Sequence, residues 1–495
     1  MKVPRSLVIL IAILAAAPLR ADWVRVASEH FEMYTTSPED RARTTLASLE
    51  QTREFFLNVK TLSIPPELPV IVVAFSSSRE YQPYRPKELA LGYSTADEQR
   101  DYIVMSDLGA DRQRIAVHEY VHTLVRHSGL KVPLWLNEGM AEVYSGMEIR
   151  DGKVLLGAIA EDRIHALGSS DLMHLPLLFA VDEKSPSYNE ASRMSVFYSE
   201  SCLLTHMLML SEDYARLFPT FLDHVSRTGA QQALADVYGK SVAEVERDMT
   251  VYFRRSSTKG AVFTAPAQRE EPMAARPAND VEVDLTLAKL TGMLGRSEEA
   301  REKLARIAAG HPGDPEIEEA QAYMAWRGGD REAALRGFGW VFAHGGAHWK
   351  TYWDYARLLE ITKPDPAAEI DALDKVLELK PDFGDARFML ARELYISGQH
   401  GDALAELEKI GEPEPRYAGS MFALMAVLTA QMGRPAQARQ YIQKARECEL
   451  SPEQAKTLDE LQARLDKPAA AQDDDEDARK RPTIRRGKPR LAPEP

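Results

Sequence analysis

His118-Glu119-Tyr120-Val121-His122, followed by Trp135-Leu136-Asn137-Glu138-Gly139-Met140-Ala141-Glu142, is the stretch from which the rest of the chain can be read. The first five residues have the form H-E-x-x-H. Four residues of an α-helix turn through about 400°, so both imidazoles leave one face of the helix, one turn apart. Around them Ile115, Ala116, Val117, Tyr120, Val121, Leu124 and Val125 predict a largely buried helix, in which two His and a Glu need a partner such as a metal ion. A catalytic zinc takes three protein ligands and keeps its fourth position for water. With His118 and His122 as two ligands, the third must come from elsewhere in the chain, and Glu138 is the best candidate. The expected cofactor is Zn2+.

H-E-Y-V-H followed by P-L-W-L-N-E-G-M-A-E resembles the gluzincin metallopeptidases, in which two His of one helix and a Glu of the next bind zinc. It is most similar to the small bacterial peptidase-MA-like domains, whose second motif has the same W-L-x-E-G-x-A-E form. In thermolysin-like and alanyl-aminopeptidase-like relatives eighteen or nineteen residues separate the second His from the Glu. Here Thr123 to Asn137 makes fifteen, so the turn between the two helices should be tighter. The resemblance spans residues 23 to 255, with its sharp motifs in 118 to 142. Met194 to Leu204 is similar to the helix that follows the metal motifs in those domains, and Ala233 to Ser241 to their closing segment.

The resemblance implies a reaction: peptide-bond hydrolysis by a zinc-activated water, with Glu119 as general base. Glu142 lies one turn after Glu138 on the same helix face and matches an acidic position of the thermolysin-like pattern, so it is expected to hold a ligand imidazole, a solvent-facing charge being the other reading. Relatives often use a Tyr or His from a downstream helix as oxyanion donor. Tyr198 is the candidate, Tyr93 and Tyr188 are rivals, and a tyrosine merely packed in the helical core is the other reading. Nothing like the G-x-M-E-N stretch of alanyl-aminopeptidases occurs; Gly92-Tyr93-Ser94-Thr95 stands near its place, which favours an endopeptidase. A third ligand at His127 is disfavoured. The metzincin pattern would place Gly at 125 and His at 128, where this chain has Val125 and Ser128. On a continuing helix His127 points about 140° away from His122, as a surface or capping residue.

The chain has 495 residues, 44% apolar and 27% charged, a globular composition long enough for two folded units with tails. A formal charge of −14 with no long basic face in the folded regions argues against nucleic-acid binding. Lys2 and Arg5 precede the apolar run Leu7 to Ala17, then Pro18-Leu19-Arg20-Ala21-Asp22, which reads as a signal peptide over 1–21. The run is too short to span a bilayer. The mature protein is therefore expected to be exported, periplasmic or secreted, with no transmembrane segment after cleavage. The two cysteines, Cys202 and Cys448, lie in helical patterns as small apolar residues and make no disulfide framework.

The expected fold class is an α+β metallopeptidase lobe over 22–255, with a small mixed sheet and active-site helices, followed by an all-α helical-repeat solenoid. Trp23 to Thr36 alternates as an opening strand, a helix begins at Ser37-Pro38, and Leu68 to Phe75 is a central strand. Leu89 to Tyr93 and Asp101 to Met105 read as a strand pair beside the metal helix, its edge facing the cleft. In related peptidases an extended substrate pairs with such an edge. Residues 185 to 255 read as helical. Residues 256–280, with Pro266, Pro272 and Pro277 and no periodicity, read as a linker.

Beyond it, Gly295, Gly329, Lys363, Gly398 and Gly433 head segments that each carry Ala five positions later, at spacings of 34, 34, 35 and 35. That is the tetratricopeptide period, one helical hairpin per unit, over 281–466. Glycine permits a left-handed residue at the turn and alanine lets the helices approach. Such repeats are expected to bind a protein substrate or partner. The tail 467–495, with Asp473 to Asp477 and then seven basic residues among prolines, reads as disordered. A second functional class remains open: a periplasmic scaffold whose repeats bind a partner and whose metallopeptidase-like lobe is inactive. Retention of Glu119 beside every ligand favours the enzyme.

Overall fold

The computed structural model describes residues 22–59, 68–86, 90–109, 112–169, 172–255, 260–265, 273–345 and 348–466. The expected signal peptide and charged tail lie outside them. The chain divides between Gly313 and Asp314 into two compact units. Among the described residues no helix is long and apolar enough to cross a membrane.

The first unit opens with β1 (Val24–Ala27), β2 (Phe31–Thr35), α1 (Glu39–Val59), β3 (Val70–Ala74), α2 (Ser78–Tyr81), β4 (Gly92–Ala96) and β5 (Asp101–Met105). The two metal-motif helices follow, α3 (Arg112–His127) and α4 (Leu134–Ser145), then β6 (Glu148–Arg150) and β7 (Lys153–Leu156). Helices α5 (Glu161–Ser169), α6 (Leu175–Phe179), α7 (Pro186–Asn189), α8 (Ala191–Leu210), α9 (Phe218–Thr228), α10 (Ala230–Tyr238) and α11 (Val242–Arg255) come next. The unit closes with β8 (Ala261–Thr264), β9 (Ala274–Pro277), α12 (Asp280–Met293) and α13 (Ser297–Gly310).

The main sheet has six strands in the order β4-β5-β3-β2-β1-β9. It is mixed: β3 runs parallel to both β2 and β5, while β4 lies antiparallel on β5 and β1 on β2. The expected single opening strand is two. The chain reverses at Ser28 to His30, and the Glu50 carboxylate fixes the reversal by accepting from Ser28 Oγ at 2.6 Å and His30 N at 2.9 Å. The edge strand is β4 at Gly92–Ala96, running past the expected end at Tyr93, while Leu89 lies outside the described residues. Its end is set by Asp97, whose Oδ1 accepts from the backbone of Gln99 and Arg100 and closes the turn into β5.

The central strand Val70-Ile71-Val72-Val73-Ala74 is buried throughout, and the period of two sends its residues into two cores. Val70, Val72 and Ala74 join Met33, Ile103, Leu46, Phe56, Val117 and Tyr120 on the side of α1 and α3. Ile71 and Val73 join Tyr34, Tyr102, Val104, Val283 and Leu290 on the side of α12.

This second core corrects the expected linker. Residues 256–280 contribute β8, which pairs with β7, and β9, which pairs with β1 from Val24↔Pro277 to Ala27↔Ala274. Pro277 is compatible because it ends an edge strand, where no ladder donor is required of it. Helix α12, headed by an Asn279–Glu282 capping box, then covers the sheet. Residues 22–255 alone would leave Tyr34, Ile71, Val73, Tyr102 and Val104 without that cover. We therefore expect residues 22–313 to melt cooperatively, and 22–255 to aggregate or bind a hydrophobic dye without a melting transition. A cooperative melt of 22–255 would contradict this.

A second sheet, β6-β7-β8, turns at Asp151 (φ 52°) and Gly152 (φ 69°). Two consecutive positive φ values are those of a type I′ hairpin, which Asp-Gly favours.

The second unit is a run of helical hairpins: α14 (Pro315–Arg327) with α15 (Arg331–His344), α16 (Trp349–Thr362) with α17 (Pro366–Leu379), α18 (Gly384–Ile396) with α19 (His400–Glu408), and α20 (Pro415–Gln431) with α21 (Pro435–Arg446). Helix α22 (Pro452–Leu465) packs on the last pair. Gly329, Gly398 and Gly433 have φ of 82°, 78° and 72°, the left-handed geometry the spacing requires, and Ala334, Ala403 and Ala438 are fully buried. Where Lys363 replaces glycine the turn is built differently. Its φ is −145°, and Asp365 caps α17 by accepting from Ala368 N.

Candidate metal centre

Only six residues, Ser128 to Pro133, join α3 to α4, with Gly129 at φ 70° making the turn. This matches the short spacer in the sequence. Helix α4 is held by α8 through Gly139, where a Cβ would fall 2.0 Å from Thr205 Oγ1 and 2.4 Å from the Ser201 carbonyl oxygen. The two backbones cross at a distance only glycine allows, and that crossing places Glu138 over α3.

His118 Nε2 lies 3.3 Å and His122 Nε2 3.4 Å from Glu138 Oε2, and the three ligand atoms are all within 4.8 Å of one another. A tetrahedral zinc with bonds of about 2.0–2.1 Å holds its ligand atoms about 3.3–3.4 Å apart. The donor set therefore fits that ion. Glu138 is 2% exposed, and its Oε2, like His122 Nδ1, is buried without a hydrogen-bond partner among the described residues. An atom so placed is costly unless something binds it. Burial works against charge on Glu138, but the two imidazoles outweigh it and hold the carboxyl well below the usual range. Burial likewise opposes the His122 imidazolium, and Glu138 outweighs it, raising that histidine to about 9.

Glu119 follows His118 on α3, 9% exposed, and acts electrostatically on His122, Tyr188 and Tyr198. Edge strand β4 runs beside it: a Cβ on Gly92 would lie 2.6 Å from Ile115 Cγ2 and 3.8 Å from Glu119 Cγ.

Glu142 Oε1 stands 3.7 Å from His118 Nδ1, on the side expected of a residue that orients the ligand. Tyr198 is brought to the site, with its ring 6.3 Å from that of His118 and stacked at 6.1 Å on Tyr188. Tyr188, a rival in the sequence reading, reaches Glu138 directly, donating from Oη to its Oε1 at 3.1 Å. Tyr93 does not join them; its hydroxyl donates to the Tyr84 carbonyl at 2.9 Å. His127 lies elsewhere too, with Nε2 2.7 Å from Asp101 Oδ2. Arg163 escaped the sequence reading altogether. It donates to both oxygens of Glu142, and nothing in Glu161-Asp162-Arg163 announces a contact with a helix that far upstream.

Removing the Tyr188 hydroxyl frees one oxygen of Glu138 from its anchor. Tyr188→Phe is expected to weaken zinc binding about 10-fold, at the lower end of what such outer partners contribute, as read by competition with a chelator. Unchanged affinity would show that the hydroxyl does not hold the ligand.

No protein-family model and no curated protein matches the chain. Among solved structures it is similar to YrrB, described as a TPR protein with an unusual peptide-binding site, at 16% identity over 37% of this chain and 92% of that one, with a TM-score of 0.33. It is also similar to MamA, at 16% identity over 38% and 96% of the two chains and a TM-score of 0.29, and to MamA 41-end from Desulfovibrio magneticus RS-1, at 16% over 34% and 95%, with a TM-score of 0.29.

Proposed function

We propose that the chain is an exported zinc-dependent metallopeptidase of the gluzincin kind, with zinc held by His118, His122 and Glu138. One observation carries the reading: two imidazole nitrogens of α3 lie 3.3 and 3.4 Å from one buried carboxylate oxygen of α4, and all three atoms fall within 4.8 Å of one another. The ion, when bound, supplies a water acidified toward pKa ~7 and a Lewis acid for the scissile carbonyl.

The chain's own residues do the rest. Glu119 takes the proton of the attacking water and delivers it to the departing amine as the C–N bond breaks. Tyr198 is the proposed hydroxyl donor to the developing oxyanion, while Tyr188 holds the ligand Glu138. Strand β4, an edge of the sheet, offers unpaired backbone to an extended peptide, which suits an endopeptidase. The helical hairpins, on this reading tetratricopeptide-like, recruit protein substrates or partners.

The test is metal content by mass spectrometry on residues 22–495, wild type beside Glu138→Ala, together with hydrolysis of casein with and without 1,10-phenanthroline. About one zinc per wild-type chain, lost in the variant, and hydrolysis stopped by the chelator are expected. Zinc without hydrolysis of casein or of a mixed peptide library would favour the inactive scaffold. A wild-type protein that takes up no zinc on reconstitution would sink the enzyme.

A further inference from the structure

Helix α5 contributes none of the three clustered donors, yet its Arg163 touches two side chains packed beside them, Glu142 and Tyr198. Arg163 makes a side-on pair with Glu142, donating from Nε to Oε2 at 3.1 Å and from Nη2 to Oε1 at 2.8 Å. Both side chains are largely withdrawn from solvent. Glu142 Oε1 is also the atom that faces His118 Nδ1. The same guanidinium lies over the Tyr198 ring, 5.4 Å from its centroid. Tyr198 stacks on Tyr188, whose hydroxyl binds Glu138.

Two chains of contact therefore start at Arg163. One passes through Glu142 to His118 and the other through Tyr198 and Tyr188 to Glu138. A free carboxylate rotates about its last bond, whereas a bidentate guanidinium fixes its plane. Lysine, a point charge, cannot do this.

We infer that Arg163 is a positioning residue of the metal centre, holding Glu142 in the plane from which it orients His118. The inference rests on the zinc reading above. Its readout is the zinc dissociation constant, measured by chelator competition on the whole mature chain well below the melting temperature of every variant. Arg163→Met is expected to raise that constant about 10- to 100-fold, the range for lost outer-sphere partners. Arg163→Lys should fall between it and wild type.

A residue that merely supported the fold would also lower affinity, so the pair is tested as a cycle. If Arg163 acts through Glu142, Arg163→Met/Glu142→Gln binds zinc no more than about 3-fold weaker than Glu142→Gln alone, because the second change removes what the first one held. Full additivity of the two losses would overturn the positioning role, and so would an unchanged constant in Arg163→Met. The Glu142→Gln background also serves if Arg163→Met alone does not fold, since it leaves no buried carboxylate without its cation. A wild type that binds no zinc would overturn the metal reading itself, whereas zinc-binding wild type with an indifferent Arg163 overturns this inference alone.

Discussion

Glu119→Gln is expected to keep about one zinc per chain while peptide hydrolysis falls by about 10²- to 10⁴-fold, the usual contribution of a positioned general base. The change is nearly isosteric and touches none of the three ligand atoms, so metal content and melting temperature should stay close to wild type. On the proposed mechanism, what disappears is an acceptor for the water's proton. Because the loss is in proton transfer and not in binding, it should fall on kcat and kcat/KM alike, with KM little changed. Parallel metal and activity measurements separate the outcomes. Hydrolysis that survives in the variant would take Glu119 out of the mechanism.

The other large effect is structural. A methyl group at position 139 would stand 2.0 Å from Thr205 Oγ1 and 2.4 Å from the Ser201 carbonyl oxygen. The hydroxyl could rotate away, but the carbonyl belongs to the backbone of α8, so one helix must move. Overpacking of this kind typically costs 1–3 kcal/mol and more where backbone is the obstacle. We expect Gly139→Ala to lower the melting temperature by roughly 5–10 °C, on the scaling of about 2–4 °C per kcal/mol for domains of this size. Since Glu138 is the adjacent residue, the variant should also bind zinc weakly. An unchanged melting temperature would mean that α4 and α8 are not held as close as described.

The cluster of His118, His122 and Glu138 was legible because its information is local. His118 and His122 are a helical turn apart, and Glu138 sits in a motif that announces its own helix. The turn glycines 329, 398 and 433 were legible for a similar reason, since a left-handed residue leaves few choices of amino acid. Arg163 was not, because its partner lies 21 residues upstream on another helix and the pair has no sequence pattern. The relative closeness of Tyr188 and Tyr198 to Glu138 was hidden for the same cause. Residues 256–280 misled in another way. An edge strand of Ala274-Ala275-Arg276-Pro277 lacks the alternation that marks a half-buried strand, and only its register on β1 reveals it. The Asp151-Gly152 hairpin, by contrast, carried a turn signal that was there to be read.

The pairing of β1 with β9 has a consequence for how the chain is made. Val24, beside the proposed leader cleavage site, meets Pro277 across the sheet, and α12 beyond it covers the second core. Neither partner exists until more than half of the polypeptide has left the ribosome. Contacts this distant along the chain are slow to form, and until they do the apolar face of β3 and β5 stays open. On the proposed export, a channel that takes unfolded polypeptide would meet a sheet whose last strand and cover are still unmade.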